Sequence, residues 1–346
     1  MSTGNAVVDE AAQSGLVPTP PAPQQAMRER AKRHYRQIIL VGSFVLLIIF
    51  FWVERPSEFP TSTNIQNLIN GMPVLTMMAL AVTVVLILGE FDLSVPNVAS
   101  LTTVVVAIMT TQTSLGLIPA LIVGWLLVGF AAGSVNGVAV GYGKAPAFIV
   151  TLAVGSVCAG VELLVQSKIR LGQTSIPVSS LPTALQDVTN RHLIGFELAV
   201  YVLIVVALIL GLVLVHAPWG RHVHAIGGNE TAARLAGVPV RRTKVTAFVA
   251  TAVLAALAGV LFSSGNGYFA NALPSYLLPA YAAAFFGAAG VGRRGFSVPA
   301  TLFGALYLAT LTNGLSVMSA PLWVASVVQG IVLFVAVLLA RIGTTS

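Results

Sequence analysis

Glu90 and Asp92 stand two residues apart between two apolar runs, where a proton relay would first be sought. Carboxylates at the boundary of a membrane span are costly unless they are capped or solvated. Capping of the following helix by Asp92 or Ser94 accounts for the pair more simply than proton transfer does. Glu90 and Asp92 read as inner-edge residues and Glu162 and Glu197 as outer-edge residues, so no acid is placed at the midplane. That argues against an ion-coupled carrier. Cys158 is the single cysteine and lies in an apolar run, which excludes an intrachain disulfide and a cysteine-based metal site. No His-Glu-x-x-His pair occurs, and no metal is expected. Gly141-Tyr142-Gly143-Lys144 lacks both the leading spacing and the hydroxyl residue of a phosphate loop. No catalytic set and no cofactor of its own are expected, and if this protein works uphill its energy comes from elsewhere.

The elements that must hold these residues are written in the composition. Only 8% of the 346 residues are charged and 56% are hydrophobic, and the mean hydropathy is +0.90. Soluble domains carry about 25% charged residues, and so few charges cannot cover so much apolar surface. The expected class is all-α: a polytopic membrane helix bundle. The net charge of +7 does not point to nucleic acid, because the cations are scattered through short loops without interleaved aromatics.

Residues 1–36 read as a disordered tail ending in the cations Arg28, Arg30, Lys32, Arg33 and Arg36. The transmembrane domain is expected over 37–341 and a short tail over 342–346. The first apolar run, Ile38 to Val53, ends in Glu54-Arg55-Pro56 rather than a small-residue cleavage site, so it reads as an uncleaved helix. Further runs lie near 72–88, 93–110, 115–140, 146–166, 196–216, 244–263, 276–291, 297–317 and 322–340. Most approach the roughly 20 residues a bilayer needs; 72–88 and 276–291 are the weakest and could be re-entrant. About ten spans with both termini in the cytoplasm put fourteen of the 18 Lys and Arg residues inside. Arg55, Lys168, Arg170 and Arg191 fall outside, as the positive-inside rule requires. Two loops are long: an outer one near 167–195 and an inner one at 217–243.

The inner loop carries a short capped helix, Asn229-Glu230-Thr231-Ala232-Ala233-Arg234-Leu235-Ala236-Gly237. Asn229 is a good N-cap, Glu230 suits the positive end of the helix dipole, Gly237 supplies a left-handed C-terminal position and Pro239 stops continuation. About seven residues make roughly 10 Å of helix, too little to persist alone in water. Ala232, Ala233, Leu235 and Ala236 offer a small apolar surface ringed by Arg221, Arg234, Arg241 and Arg242. Docking to a soluble protein and lying flat on lipid headgroups both fit these residues. Small residues at Gly133-x3-Gly137 and Ala255-x3-Gly259 allow close helix approach. Asn97, Asn136, Thr151, Ser156, Gln166, Asn313 and Gln329 are scattered polar residues in the spans. Each could bond a neighbouring helix; Asn97, Asn136, Thr151 and Asn313 are candidates for a substrate pathway.

Together these segments resemble the permease subunits of bacterial ABC importers for monosaccharides, of the ribose/xylose type. Gly89 to Val95 is similar to the family's Gly-x-x-Asp-Leu-Ser-Val signature, carried here by Gly89, Asp92, Leu93 and Ser94. Ala147 to Leu152 resembles its Phe-Ile-x-Thr-Leu element through Phe148 and Thr151. Gly220-Arg221, Gly227-Gly228-Asn229 and Ala232 to Gly237 resemble its most distinctive stretch, and Gly295 to Thr301 and Asn313-Gly314-Leu315 match near the C-terminus. Glu90 and Pro96 stand where relatives usually have glycine, and Ala288 and Ala300 replace common glycines. The resemblance implies a permease in the bacterial inner membrane, paired with a second copy or a second permease. It implies an ABC ATPase that binds the ATP, a periplasmic sugar-binding protein, and 229–237 as the ATPase-coupling helix. An ion-coupled carrier, a branched-chain amino-acid permease and, less simply, a membrane enzyme are the rival readings.

Overall fold

The computed structural model describes residues 23–167, 175–290 and 295–341. The chain divides into two units, one up to Ser43 and one from Phe44 onward. Helix α1 runs Pro23–Glu54, so residues 23–36, expected in the tail, are helical; residues 1–22 and 342–346 lie outside the described residues. Everything that follows concerns the unit from Phe44.

After α1 come α2 (Ser62–Asn70), α3 (Met72–Leu88) and α4 (Val95–Gln112). Helix α5 spans Leu117–Gly141 with a π-turn at Ile122–Leu127, and α6 spans Ala147–Gln166. Strand β1 (Ser175–Ile176), α7 (Thr183–Asn190), and the hairpin of β2 (His192–Leu193) and β3 (Phe196–Glu197) follow. Then come α8 (Leu198–His216), α9 (Pro218–Gly228), α10 (Glu230–Leu235), α11 (Val240–Asn266) and β4 (Tyr268–Phe269). The chain ends with α12 (Leu277–Gly290), α13 (Val298–Val317) and α14 (Leu322–Arg341). The strands pair antiparallel, β1 with β4 and β2 with β3. Lys168 and Arg170 lie outside the described residues.

Among the described residues, seven helical stretches are long and apolar enough to cross a membrane. Helix α2 running into α3 is one of them, and α4, α5, α6, α8, α11 and α13 are the others. Helix α12, the weak 276–291 run, has 14 residues, about 21 Å at 1.5 Å per residue, which is short for a bilayer core of about 30 Å. Ile38–Glu54 and Trp323–Val335 are shorter apolar helices. Sequence reasoning expected ten spans, and length and composition single out seven.

Helix α11 is the centre of the bundle, packed against α3, α4 and α5. The small-residue spacing seen in the sequence is what lets it sit there. A Cβ at Gly133 would lie 2.5 Å from the Val249 Cα, and one at Gly137 would lie 2.6 Å from the Val245 Cα. Gly259 meets the Ala99 carbonyl of α4 in the same way. Gly124 lies in the π-turn, and its carbonyl accepts from the Thr102 hydroxyl of α4 at 3.0 Å. The outward faces of α6 and α8 expose Phe148, Leu152, Leu164, Ile204, Leu208 and Leu212, the apolar coat that a lipid-facing surface requires.

Candidate functional site

Two structures stand side by side at one end of the bundle: the helix pair α9–α10 and the break between α3 and α4. Helix α9 is placed by the residues that carried the Gly-Arg and Gly-Gly-Asn resemblance. A side chain at Gly220 would collide with the Leu214 carbonyl of α8, and one at Gly227 with the Ile87 carbonyl of α3. Arg221 donates from Nη1 to the His216 carbonyl at 2.8 Å, closing the end of α8. Trp219 donates from Nε1 to the Thr246 hydroxyl of α11 at 2.8 Å, and Val223 and Ile226 are buried. Gly228 has open space around it.

Helix α10 is bounded as the sequence requires, but it is six residues long, Glu230–Leu235, with Asn229 and Ala236 as caps. The Asn229 side-chain oxygen accepts from the Ala232 N–H at 2.9 Å. Gly237 takes φ +79°, so its N–H reaches the Arg234 carbonyl and the Val238 N–H reaches the Ala233 carbonyl. That pair of bonds is the Schellman closure. Glu230 and Arg234 form an i,i+4 ion pair. The apolar surface is divided, against expectation. Ala233 is 5% exposed and packs inward, whereas Leu235 is 85% exposed, with Thr231, Ala232 and Ala236 beside it in the open. The reason is helical geometry: residues two apart on a helix point to different faces.

The break at 89–94 begins with Gly89 in the left-handed region at φ +85°, where its N–H closes α3 onto the Leu86 carbonyl. Asp92 is fully buried, not at a watery rim, and although Ser94 stands at the N-cap position of α4 it makes no side-chain cap bond there. Instead the Asp92 Oδ1 accepts from the Ser94 N–H at 2.8 Å and from the Ser94 hydroxyl at 2.5 Å. An Asx-type turn wins here because the i to i+2 bond is the shorter local closure. Three neighbouring helices hold the turn. The Tyr281 hydroxyl of α12 accepts from the Asp92 N–H and donates to the Asp92 carbonyl. Asn136 of α5 donates to the Ser94 hydroxyl at 2.9 Å. Thr151 of α6 accepts from the Leu93 N–H at 3.0 Å. Pro96 occupies the first turn of α4, where its missing N–H leaves no bond unmade.

Of the pathway candidates, Asn136 and Thr151 are therefore buried clamps of this turn, and Asn97 sits beside it, its amide against Gly155. Asn313 lies elsewhere, in a reciprocal amide pair with Asn64 at 3.0 Å. Phe148, from the same signature as Thr151, is exposed.

Lys244 joins the two structures. Its Nζ lies 2.6 Å from the Glu90 Oε1 and 3.0 Å from the Glu230 Oε2. That hydrogen bond, with help from Arg234, holds the Glu230 carboxyl below its usual range. Sequence reasoning counted Lys244 only among the inner cations. Nothing in local spacing could have paired it with Glu90, 154 residues away. Tyr281 was missed for the same reason.

An apolar helical bundle with seven helical stretches long enough to cross a membrane among its described residues, and a short capped helix beside a clamped break, defines a polytopic membrane protein. Over residues 64–337 the chain matches the family described as branched-chain amino acid transport system / permease component, and it belongs to that family. It is 32% identical over 329 residues to the ribose import permease protein RbsC of Bacillus subtilis (strain 168), covering 92% of this chain and 98% of the relative. The Escherichia coli (strain K12) ribose import permease is 30% identical over 86% of this chain and 91% of its own length. The xylose transport system permease protein XylH of the same organism is 26% identical over 86% of this chain and 90% of its own. No solved structure matches.

Proposed function

We propose that this chain is the membrane-spanning subunit of an ABC importer that moves a monosaccharide inward across the bacterial inner membrane, with ribose and xylose the first substrates to try. A separate ATPase powers it, a periplasmic binding protein delivers the sugar, and a second permease copy or paralogue completes the pore. The observation that carries this reading is Leu235, held out at 85% exposure on a helix too short to stand without packing. A large apolar side chain raised from a polar, basic loop suits a pocket in a soluble partner. The similarity to ribose and xylose permeases, at 26–32% identity, supports the substrate class.

In this reading α1, α3, α4, α5, α6, α8, α11, α12, α13 and α14 each cross the bilayer, and both termini are cytoplasmic. The lysine and arginine distribution supports that orientation.

Proteoliposomes carrying the permease with its ATPase and binding protein should take up labelled ribose or xylose only when ATP is enclosed with the ATPase. Leu235→Glu should abolish uptake while the permease remains inserted. Uptake that persists without ATP and collapses with an uncoupler would replace this reading with an ion-coupled carrier. The family description keeps one substrate alternative in view: competition of uptake by leucine rather than by pentoses would favour branched-chain amino acids.

A further inference from the structure

We propose that Lys244 is the positioning residue that passes the state of the docking helix α10 to the α3–α4 break, with Glu90 as its receiver. The inference rests on α10 being where the ATPase docks, and it concerns what happens after docking.

A continuous run of polar contacts leads inward from α10. Arg234 pairs with Glu230, Glu230 with Lys244, and Lys244 with Glu90. Glu90 begins the stretch whose next residues, Asp92, Leu93 and Ser94, are gripped by Tyr281 of α12, Thr151 of α6 and Asn136 of α5. One small event at α10 thus has a mechanical address on three further helices. Lys244 itself stands on α11, the helix around which the bundle is packed. Its side chain is 11% exposed and the Glu90 side chain 22%, so water compensates little if either loses the other.

The charge arrangement suits a switch better than a staple. A lysine ammonium is a single point charge with three donors, and here two carboxylates on separate elements share it. If α10 moves away from α11, Glu230 gives up its share and the ammonium is left to Glu90 alone. If α10 presses in, the charge is divided again. Backbone contact runs in parallel, because Gly227 of α9 rests on the Ile87 carbonyl and faces Gly89. That contact sets the distance, and the ion pairs respond to it.

The test uses the full permease–ATPase complex in proteoliposomes, with its binding protein and radiolabelled ribose or xylose, whichever the unmutated complex imports. Glu90→Gln keeps shape and stands on the α3–α4 break rather than on α10; Lys244→Met removes the shared charge, and Lys244→Arg keeps it. In the glutamine and methionine variants the ATPase should still co-purify at unmutated stoichiometry. Sugar imported per ATP hydrolysed should fall roughly 5- to 150-fold, the usual span of coupling between sites, and Lys244→Arg should restore most of it. An unmutated ratio in both variants overturns the proposal. So does loss of the ATPase from Lys244→Met, which would make Lys244 a docking residue. A lowered melting temperature with unchanged import per ATP would make the bridge structural only, and also overturns it. Leu235→Glu separates the two levels: if that variant assembles and imports normally, the docking reading itself is wrong.

Discussion

Neighbouring residues in one motif do different work, and their substitutions should separate cleanly. Gly227 and Gly228 are adjacent, yet only Gly227 lies against backbone, at the Ile87 carbonyl. Gly227→Ala should cost about 1–3 kcal/mol through overpacking and lower the thermal midpoint of the detergent-solubilised protein. Gly228→Ala, with open space around it, should leave that midpoint unchanged; equal midpoints for the two would remove close approach as the reason for the glycine. Ala233 and Leu235 form a second such pair. Ala233→Glu buries a carboxylate against the bundle and should destabilise the permease itself. Leu235→Glu acts on an exposed position and should spare its stability while losing the ATPase. Both alanine and leucine looked like docking residues in the sequence, because exposure on so short a helix depends on which side the bundle lies.

At the scale of the element, α10 owes its existence to its ends. Asn229→Ala removes the cap bond to Ala232 and should cost about 1 kcal/mol. Faster amide exchange confined to 230–238 is the expected signature, and unchanged exchange there would show that packing alone holds the helix. Acidity should act at the same place. The Glu230 carboxyl is held below its ordinary value of 4.5 by Lys244, so the folded form binds its proton less readily than the unfolded one. Its contribution is complete above about pH 4.5 and is lost as the pH falls through the lowered value. Amide exchange over 230–238 should therefore be insensitive to this group at neutral pH and respond to it only in acid, and Glu230→Gln should abolish that acid dependence. The caps were legible in the sequence because they depend on residues within a few positions of one another. The α3–α4 turn was not. Asp92 and Ser94 suited a cap equally well by type, and burial against Tyr281, Thr151 and Asn136 decided for a local turn.

For the whole molecule the question is orientation. Cys158 is buried, which makes Cys158→Ala a natural background for reporter cysteines. Thr231→Cys should label with a membrane-impermeant maleimide only from the cytoplasmic side, and Asn190→Cys only from the outside. Labelling of both from one side would refute the ten-span arrangement and its charge assignment together. The structure's own lengths make α12 the helix to watch. Its 14 residues are covered by α13, α14 and α3, and in the ten-span reading its neighbours rather than its length would have to keep it within the bilayer. Glycines on both helices allow that close contact, since Gly287 of α12 sits against the Ala300 carbonyl of α13 and Gly304 of α13 against the Ala283 carbonyl of α12.

Composition and local pattern were enough to establish a membrane protein built mainly of helices, the caps of the short helix α10, the small residues where helices approach, and the kinship with transport permeases. Each of these depends on residue type or on spacing within a turn or two, and a single chain displays both. Which face of α10 is free, why Asp92 lies buried, what Asn136 and Thr151 hold, and that Lys244 stands between Glu90 and Glu230 were settled only by the fold. Those facts join residues up to 189 positions apart, and no periodicity links such distant partners until packed helices bring their side chains within hydrogen-bonding reach.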